Sequence, residues 1–237
     1  MYEPARYPQH AVPQTRVAGE HAAFFRKVYA FMALGLTATA LTAMLVASSE
    51  EAIRFIVLNR PVFYGLLIAE FAMVWAFTAL VPKISAVAAG ALFFTYAIMN
   101  GLTLAVIFLV YTSGSIASTF FVTAGTFGAM SAFGYATKRD LTGLGSFAMM
   151  GLFGLIIASV VNIFLGSPMI YWLTTFMGVI VFVALTAYDT QKIKQLNVGG
   201  YEGDEANHKG AIHGALILYL DFINLFLFLL RILGRRK

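Results

Sequence analysis

Four charged residues lie in long apolar stretches of this sequence, where charge is costly. They are Glu70, Asp189, Asp221 and Arg231. A carboxylate in hydrocarbon costs at least ~2.5 kcal/mol on insertion scales, so each acid needs a partner, a proton or water. Buried carboxyl groups can hold and release protons, or offer hard oxygen ligands to a cation such as Ca²⁺. These four residues are therefore the first candidates for function.

The composition identifies the medium that surrounds them. Charged residues make up 11% of the 237 residues, hydrophobic residues 60%, and the mean hydropathy is +0.81. A soluble domain carries roughly a quarter charged residues, so the sequence predicts an integral membrane protein. The net charge of +5 does not indicate nucleic-acid binding, because the basic residues are scattered between apolar runs. The absence of cysteine excludes disulfides and thiolate metal sites.

Seven apolar runs follow a polar N-terminal segment. Residues 1–27 contain three of the six prolines and are predicted to form a flexible cytoplasmic tail. A spanning segment must be a helix or part of a closed barrel, and continuous runs exclude the alternating strands of a barrel. We therefore predict an all-α seven-helix transmembrane domain over 28–237. Its helices are expected at about 28–48, 62–81, 84–111, 116–136, 144–165, 169–196 and 211–233.

The positions of Lys and Arg predict the orientation. With the N-terminus in the cytoplasm, most of the basic residues between the runs lie on the cytoplasmic side. The basic tail 235–237 would then lie outside, unless the seventh segment re-enters the membrane and returns the tail to the cytoplasm. The run 211–233 is long enough to cross ~30 Å of hydrocarbon, which favours seven full spans.

Depth along the helices predicts which acids meet. Asp189 ends the sixth run at its cytoplasmic end, and Asp221 lies about 15 Å into the seventh, so both lie in the cytoplasmic half. Two carboxyl groups in contact at low dielectric cannot both ionise easily, and one shared proton relieves the repulsion. The pair is predicted to sense pH and to bind Ca²⁺ weakly or transiently, because a stable calcium site needs about six to eight oxygens. The alternative is that Asp189 lies at the membrane surface and Asp221 makes one interhelical hydrogen bond.

A second pair is expected in the outer half. Glu70 lies eight residues into a second helix that enters from the outside, and Arg231 lies near the outer end of the seventh helix. The two could therefore form an ion pair that is either structural or involved in gating. Asn224 shares a helical stripe with Asp221 and should face the bundle interior. His213 either joins a proton pathway or is simply solvated.

Two segments resemble a known family. AYDTQKIK, which contains Asp189, and LYLDFINLFLFLLRILG, which contains Asp221 and Arg231, resemble the paired signature of the Bax inhibitor motif family. The resemblance covers all seven runs but not the tail. It implies a bundle around a central seventh helix, and a calcium leak channel whose opening depends on pH through Asp189 and Asp221. It also implies that an acidic cytoplasm favours the leak, and that Glu70 and Arg231 brace the second helix against the seventh.

The sequence departs from the family at one position. Characterised bacterial members place an arginine near the cytoplasmic end of the second helix, where it latches onto the sixth-helix aspartate. The matching residue here is Val81, and the nearest cation is Lys83. Either Lys83 substitutes for the latch or the closed state is held differently. A lysine lacks the bidentate fork of arginine, so such a latch would be weaker.

Two other functions compete with the leak channel. Intramembrane aspartyl proteases also place a Tyr-Asp motif on a sixth helix and a second aspartate on a seventh. Here, however, Leu218, Tyr219 and Leu220 replace their Gly-x-Gly motif, and no proline follows Asp221. The other alternative is a regulatory membrane protein that binds a quality-control protease through its tail. We expect no enzymatic activity and no cofactor, with Ca²⁺, protons and the lipid bilayer as partners. We further expect a monomer in the bacterial inner membrane.

Overall fold

The computed structural model describes residues 14–199 and 203–237, and its regular structure there is almost entirely helical. Seven helices in this part of the chain are long and apolar enough to cross a membrane. We label them α1 (Gln14–Ala47), α2 (Arg60–Leu80), α3 (Ala86–Leu104, continued by Val106–Val110), α4 (Ser113–Ala136), α5 (Thr142–Leu165), α6 (Pro168–Gly199) and α7 (Asp204–Leu233).

Polar side chains and glycine mark the helix ends. Asn59, Ser85 and Thr112 precede α2, α3 and α4, and each side chain accepts a hydrogen bond from the backbone amide three residues later. Such caps satisfy amides that have no partner within the helix. Gly166 ends α5 with φ of 58°, a left-handed conformation that favours glycine. These residues interrupt the apolar runs at the points where the chain turns.

Helix α7 is the centre of the bundle. It packs against α1, α3, α4 and α6, whereas α5 packs mainly on α6, and α2 on α3. In its most apolar stretch 50% of the residues are buried, against 11% in α2 and in α5. The predicted seven-helix bundle with a central seventh helix is therefore confirmed.

Large apolar side chains on the outer helices α2 and α5 are exposed on the surface of the protein. Trp75 on α2 is 80% exposed and Phe164 on α5 is 84% exposed. An apolar surface of this extent is stable in lipid, which requires no polar groups. The chain is an integral, multi-pass membrane protein.

Helix α7 crosses the bundle completely. Near its start, Lys209 Nζ donates to the carbonyl oxygen of Pro82, between α2 and α3, at 3.4 Å. Beyond its end, the amide of Thr112, between α3 and α4, donates to the carbonyl oxygen of Arg235 at 3.0 Å. These contacts lie at opposite ends of α3, so the structure contains the full span and not the re-entrant alternative. We call the end that holds the chain terminus the C-terminal end of the bundle.

Two helices begin earlier than the hydropathy predicts. Helix α1 begins at Gln14, so the predicted flexible tail 1–27 is too long, and residues 1–13 lie outside the described part of the chain. Phe24 and Phe25 are buried, and the Phe25 ring packs edge-on against Tyr135 at 4.9 Å. Helix α7 begins at Asp204, before the predicted 211. Charged residues therefore end an apolar run without ending the helix.

Candidate functional site

The structure brings Asp189 and Asp221 together between α6 and α7. These two helices pack closely, and the two carboxyl groups lie near enough to interact with each other. Asp221 is 4% exposed, whereas Asp189 is half-buried. Two carboxyl groups in contact can form a hydrogen bond only if one of them holds a proton, because an ionised carboxylate only accepts.

No basic side chain neutralises this pair. Within the described residues neither aspartate forms a salt bridge, and Oδ2 of Asp221 is buried without a donor. The nearest cation acting on Asp189 is Lys192, three residues later, but its Nζ lies over the Tyr188 ring at 5.7 Å from the centroid. Lys192 therefore acts on Asp189 at a distance and not through a direct ion pair.

Neighbouring hydroxyl groups do not reach the carboxyl groups either. Thr186 and Thr190 are fully buried on α6, and each donates to a backbone carbonyl one turn earlier in the same helix. Thr190 also contacts Ser131 of α4 at 2.8 Å, and Ser131 contacts the Tyr29 hydroxyl of α1. This chain of hydroxyls ties three helices together beside the aspartate pair.

Two glycines allow close packing around Asp189. A Cβ on Gly134 of α4 would collide with the carbonyl oxygen of Ala187, and a Cβ on Gly145 of α5 would collide with the Tyr188 ring. Both contacts involve the residues directly before Asp189. Small residues let membrane helices approach closely, so these glycines fix the position of the α6 segment that holds the aspartate.

Glu70 belongs to a different buried polar cluster, at the middle of α2. Its Oε1 accepts a hydrogen bond from Thr103 Oγ1 at 2.8 Å, and its Oε2 accepts one from Asn100 Nδ2 at 3.3 Å. The Tyr219 hydroxyl donates to Asn100 Oδ1 at 3.1 Å and contacts Thr39 Oγ1 at 2.7 Å. These five residues, here called the Glu70 network, connect α2, α3, α7 and α1.

The supporting polar residues of the prediction lie apart from the pair. The His213 ring packs edge-on against Phe77 of α2, with ring centroids 6.1 Å apart. Asn224 Nδ2 donates to the carbonyl oxygen of Leu220 at 2.8 Å, and the side chain lines a cavity of about 240 Å³ between α5, α6 and α7. In this conformation neither side chain is hydrogen-bonded to an aspartate.

The aspartate pair offers few ligands to a metal ion. No group of three or more His, Cys, Asp or Glu side chains suited to a metal occurs within 14–199 and 203–237. Two carboxyl groups supply at most four oxygens, fewer than the about six to eight that Ca²⁺ prefers.

Comparison with known sequences identifies the family. The sequence model described as "Inhibitor of apoptosis-promoting Bax1" matches residues 21–237. The chain belongs to the Bax inhibitor-1 family. It is 50% identical to the inner membrane protein YbhL of Escherichia coli over 215 residues, which cover 90% of this chain and 92% of YbhL. An uncharacterized protein of Borreliella burgdorferi is 42% identical over 214 residues, covering 90% and 92% of the two chains. An uncharacterized membrane protein of Streptococcus pyogenes is 38% identical over 216 residues, with the same coverage.

One contact expected of a Bax inhibitor-1 family member is absent from this structure. Glu70 and Arg231 do not pair: the Arg231 guanidinium lies over the Tyr171 and Phe228 rings, 5.6 and 5.1 Å from their centroids. Glu70 is at the middle of α2, which packs on α3, whereas Arg231 is in the last turn of α7. The predicted brace between the second and seventh helices is therefore wrong, and α3 supplies the partners of Glu70.

The substitute latch of this family member is not formed either. Lys83 is exposed in the α2–α3 connection, and its side chain makes no hydrogen bond or salt bridge within the described residues. Lys192 of α6 acts electrostatically on Asp189 instead. Lys192 lies about one helical turn after Asp189, so the sequence alone could have identified it as a neighbouring cation on the same helix face.

The Glu70 network was also missed from the sequence. Asn100 and Thr103 are three residues apart in an apolar run and therefore share a face of α3. That spacing could have identified them as polar residues in need of a buried partner. The sequence does not indicate that this partner comes from α2.

Proposed function

We propose that this Bax inhibitor-1 family protein is a pH-sensitive calcium leak channel of the bacterial inner membrane, gated by the proton that Asp189 and Asp221 share. The observation that supports this most directly is the contact between two carboxyl groups from different helices, neither of which forms a salt bridge within the described residues. Such a pair links the protonation state to the contact between α6 and α7.

The shared proton stabilises the closed contact. When it is lost, two negative charges remain in contact, and at ~4 Å and an effective dielectric of 20 they repel by about 4 kcal/mol. Either the helices separate or a cation enters to neutralise the charge. Ca²⁺ and the proton therefore compete for the same oxygens, which makes cation passage depend on pH. By this mechanism the leak increases as the pH rises, whereas the family resemblance implies that acid on the cytoplasmic side increases it. The sign of the pH dependence in the flux assay below distinguishes the two directions.

The test is calcium flux into dye-loaded proteoliposomes across a range of pH. Asp189→Asn and Asp221→Asn should each change the pH profile, because a carboxamide neither gains nor loses the shared proton. Asp140→Asn is the matched control, since Asp140 lies in the exposed α4–α5 connection, where it caps Thr142. If both dyad variants keep the wild-type profile while folding normally, the pair is not the sensor.

The same samples discriminate between the leak and proteolysis. A hydrogen-bonded aspartate pair is also the acid–base arrangement of aspartyl proteases. Asp221 is buried in this conformation, however, and a peptide bond would need the helices to open before reaching it. Uncut transmembrane peptides, in vesicles that pass Ca²⁺, would support the leak; cleavage abolished by Asp221→Asn would refute it.

A further inference from the structure

A cavity of about 570 Å³ opens at the C-terminal end of the bundle, between the start of α6 and the end of α7. Its polar and aromatic lining consists of Asn162, Ser167, Tyr171, Trp172, Arg231 and Arg236. We call it the C-terminal cavity. It lies at the opposite end of α7 from the α2–α3 connection and is separate from the aspartate pair.

The C-terminal cavity has two positive charges that no side chain balances. None of its lining residues is acidic. Within the described part of the chain, Arg231 and Arg236 form no salt bridge, and the Arg231 guanidinium lies over the Tyr171 and Phe228 rings. Stacking on a ring leaves the guanidinium N–H groups in its plane available as donors. The cavity therefore suits an anion that can accept several hydrogen bonds.

The backbone holds both arginines in place. Arg231 belongs to the last turn of α7, and Arg236 forms an antiparallel bridge with Tyr111. The amide of Lys237 donates to the carbonyl oxygen of Val110 at 3.0 Å. The residues after α7 are thus fixed to the α3–α4 connection, so less entropy is lost when a ligand binds between the two guanidinium groups.

The surroundings of the cavity are those of a membrane interface. Trp172 is 44% exposed beside Tyr171 in the first turns of α6, and Ile163 and Phe164 at the end of α5 are among the most exposed apolar residues. Trp and Tyr are enriched at the level of lipid headgroups, and exposed apolar side chains face acyl chains. A ligand in this position can have its charged group at the arginines and its apolar part against α5.

We propose that the C-terminal cavity binds the phosphate of an anionic phospholipid, with Arg231 and Arg236 as its ligands. Arginine is suited to phosphate because its fork donates two parallel hydrogen bonds to two oxygens. The lipid phosphate thus takes the place of the Glu70 carboxylate, which was the predicted ionic partner of Arg231. This site is independent of the proposed leak function.

Native mass spectrometry of the full-length protein in detergent, titrated with phosphatidylglycerol, measures this binding. Arg231→Gln and Arg236→Gln should each weaken the first bound lipid by about tenfold, since a charge-assisted hydrogen bond contributes roughly 1.4 kcal/mol or more. Arg235→Gln is the matched control: it removes the same charge from the neighbouring residue, which does not line the cavity. It should change the affinity less than twofold. Arg236 is exposed, so its replacement tests the site even if Arg231→Gln impairs folding.

Three results would overturn the proposal. Equal losses for Arg235→Gln and Arg236→Gln would show attraction to the basic tail in general and not to the cavity. Equal retention of phosphatidylcholine by the wild-type protein would exclude selection for an anionic lipid. Displacement of the lipid by millimolar glycerol 3-phosphate would assign the cavity to a soluble phosphate ester.

Discussion

Replacing Tyr219 by phenylalanine tests the Glu70 network, because it removes one hydroxyl group from the centre of the bundle. The Tyr219 side chain is fully buried, and its hydroxyl makes contacts of 3.1 Å with Asn100 and 2.7 Å with Thr39. Thr39 keeps a partner in the variant, because its hydroxyl also lies 2.8 Å from the carbonyl oxygen of Ala97. Asn100 Oδ1 loses the donor that reaches it.

The expected destabilisation follows from these two contacts. Interhelical hydrogen bonds in membrane proteins contribute on average ~0.6 kcal/mol and at most ~1.7 kcal/mol each. Leaving a buried acceptor unpaired costs about 1–3 kcal/mol. Tyr219→Phe should therefore lower the free energy of unfolding by about 1–3 kcal/mol, which is roughly a 5- to 150-fold shift in the unfolding equilibrium. Unfolding in mixed micelles with increasing SDS, followed by circular dichroism, measures this change.

A neighbouring tyrosine provides the control. Tyr96 is also buried, and its ring packs edge-on against Tyr219 at 5.9 Å. Its hydroxyl makes no hydrogen bond within the described residues, so Tyr96→Phe should change stability by less than about 0.5 kcal/mol. The hydrogen-bond argument is refuted if the two variants are equally stable. In a double-mutant cycle, Asn100→Leu should also reduce the effect of Tyr219→Phe, because the acceptor is already gone.

Two further predictions concern the packing around the aspartate pair and the N-terminal segment. Gly134→Ala should destabilise the protein by about 1–3 kcal/mol and alter the pH profile of calcium flux, because the new methyl group meets the rigid backbone of Ala187. Gly125→Ala on the same helix meets nothing within 4 Å and should behave as wild type, so similar losses in both would reject the packing argument. Deleting residues 1–13, which precede α1, should leave the flux unchanged. A lost pH response in that truncation would favour regulation through the tail.

The aspartate pair was predictable because it depends on depth. Asp189 lies near the end of one span and Asp221 inside the next, and consecutive helices joined by a short connection are usually neighbours. A rise of 1.5 Å per residue then places both acids at one level. The sequence could not show that neither acid has a basic partner, because that depends on the side chains of every helix around them.

The prediction of a Glu70–Arg231 pair was wrong for a related reason. Similar depth is necessary for contact, but the direction in which a helix faces and the identity of its neighbour are also needed. Helix α2 packs mainly on α3, so Glu70 meets Asn100 and Thr103. Arg231 turns instead toward Tyr171 at the C-terminal cavity.

The sequence by itself therefore determined the membrane environment, the seven spans and the level of each charged group within them. These properties follow from hydropathy and from the rise per residue of a helix, and both depend only on position along the chain. Only the tertiary structure decided which charged group meets which partner, because helices of similar hydropathy can be arranged in many ways in lipid. Close contacts such as that of Gly134 with Ala187 select one arrangement. Each contact depends on complementary surfaces of two helices, which cannot be inferred from either segment alone.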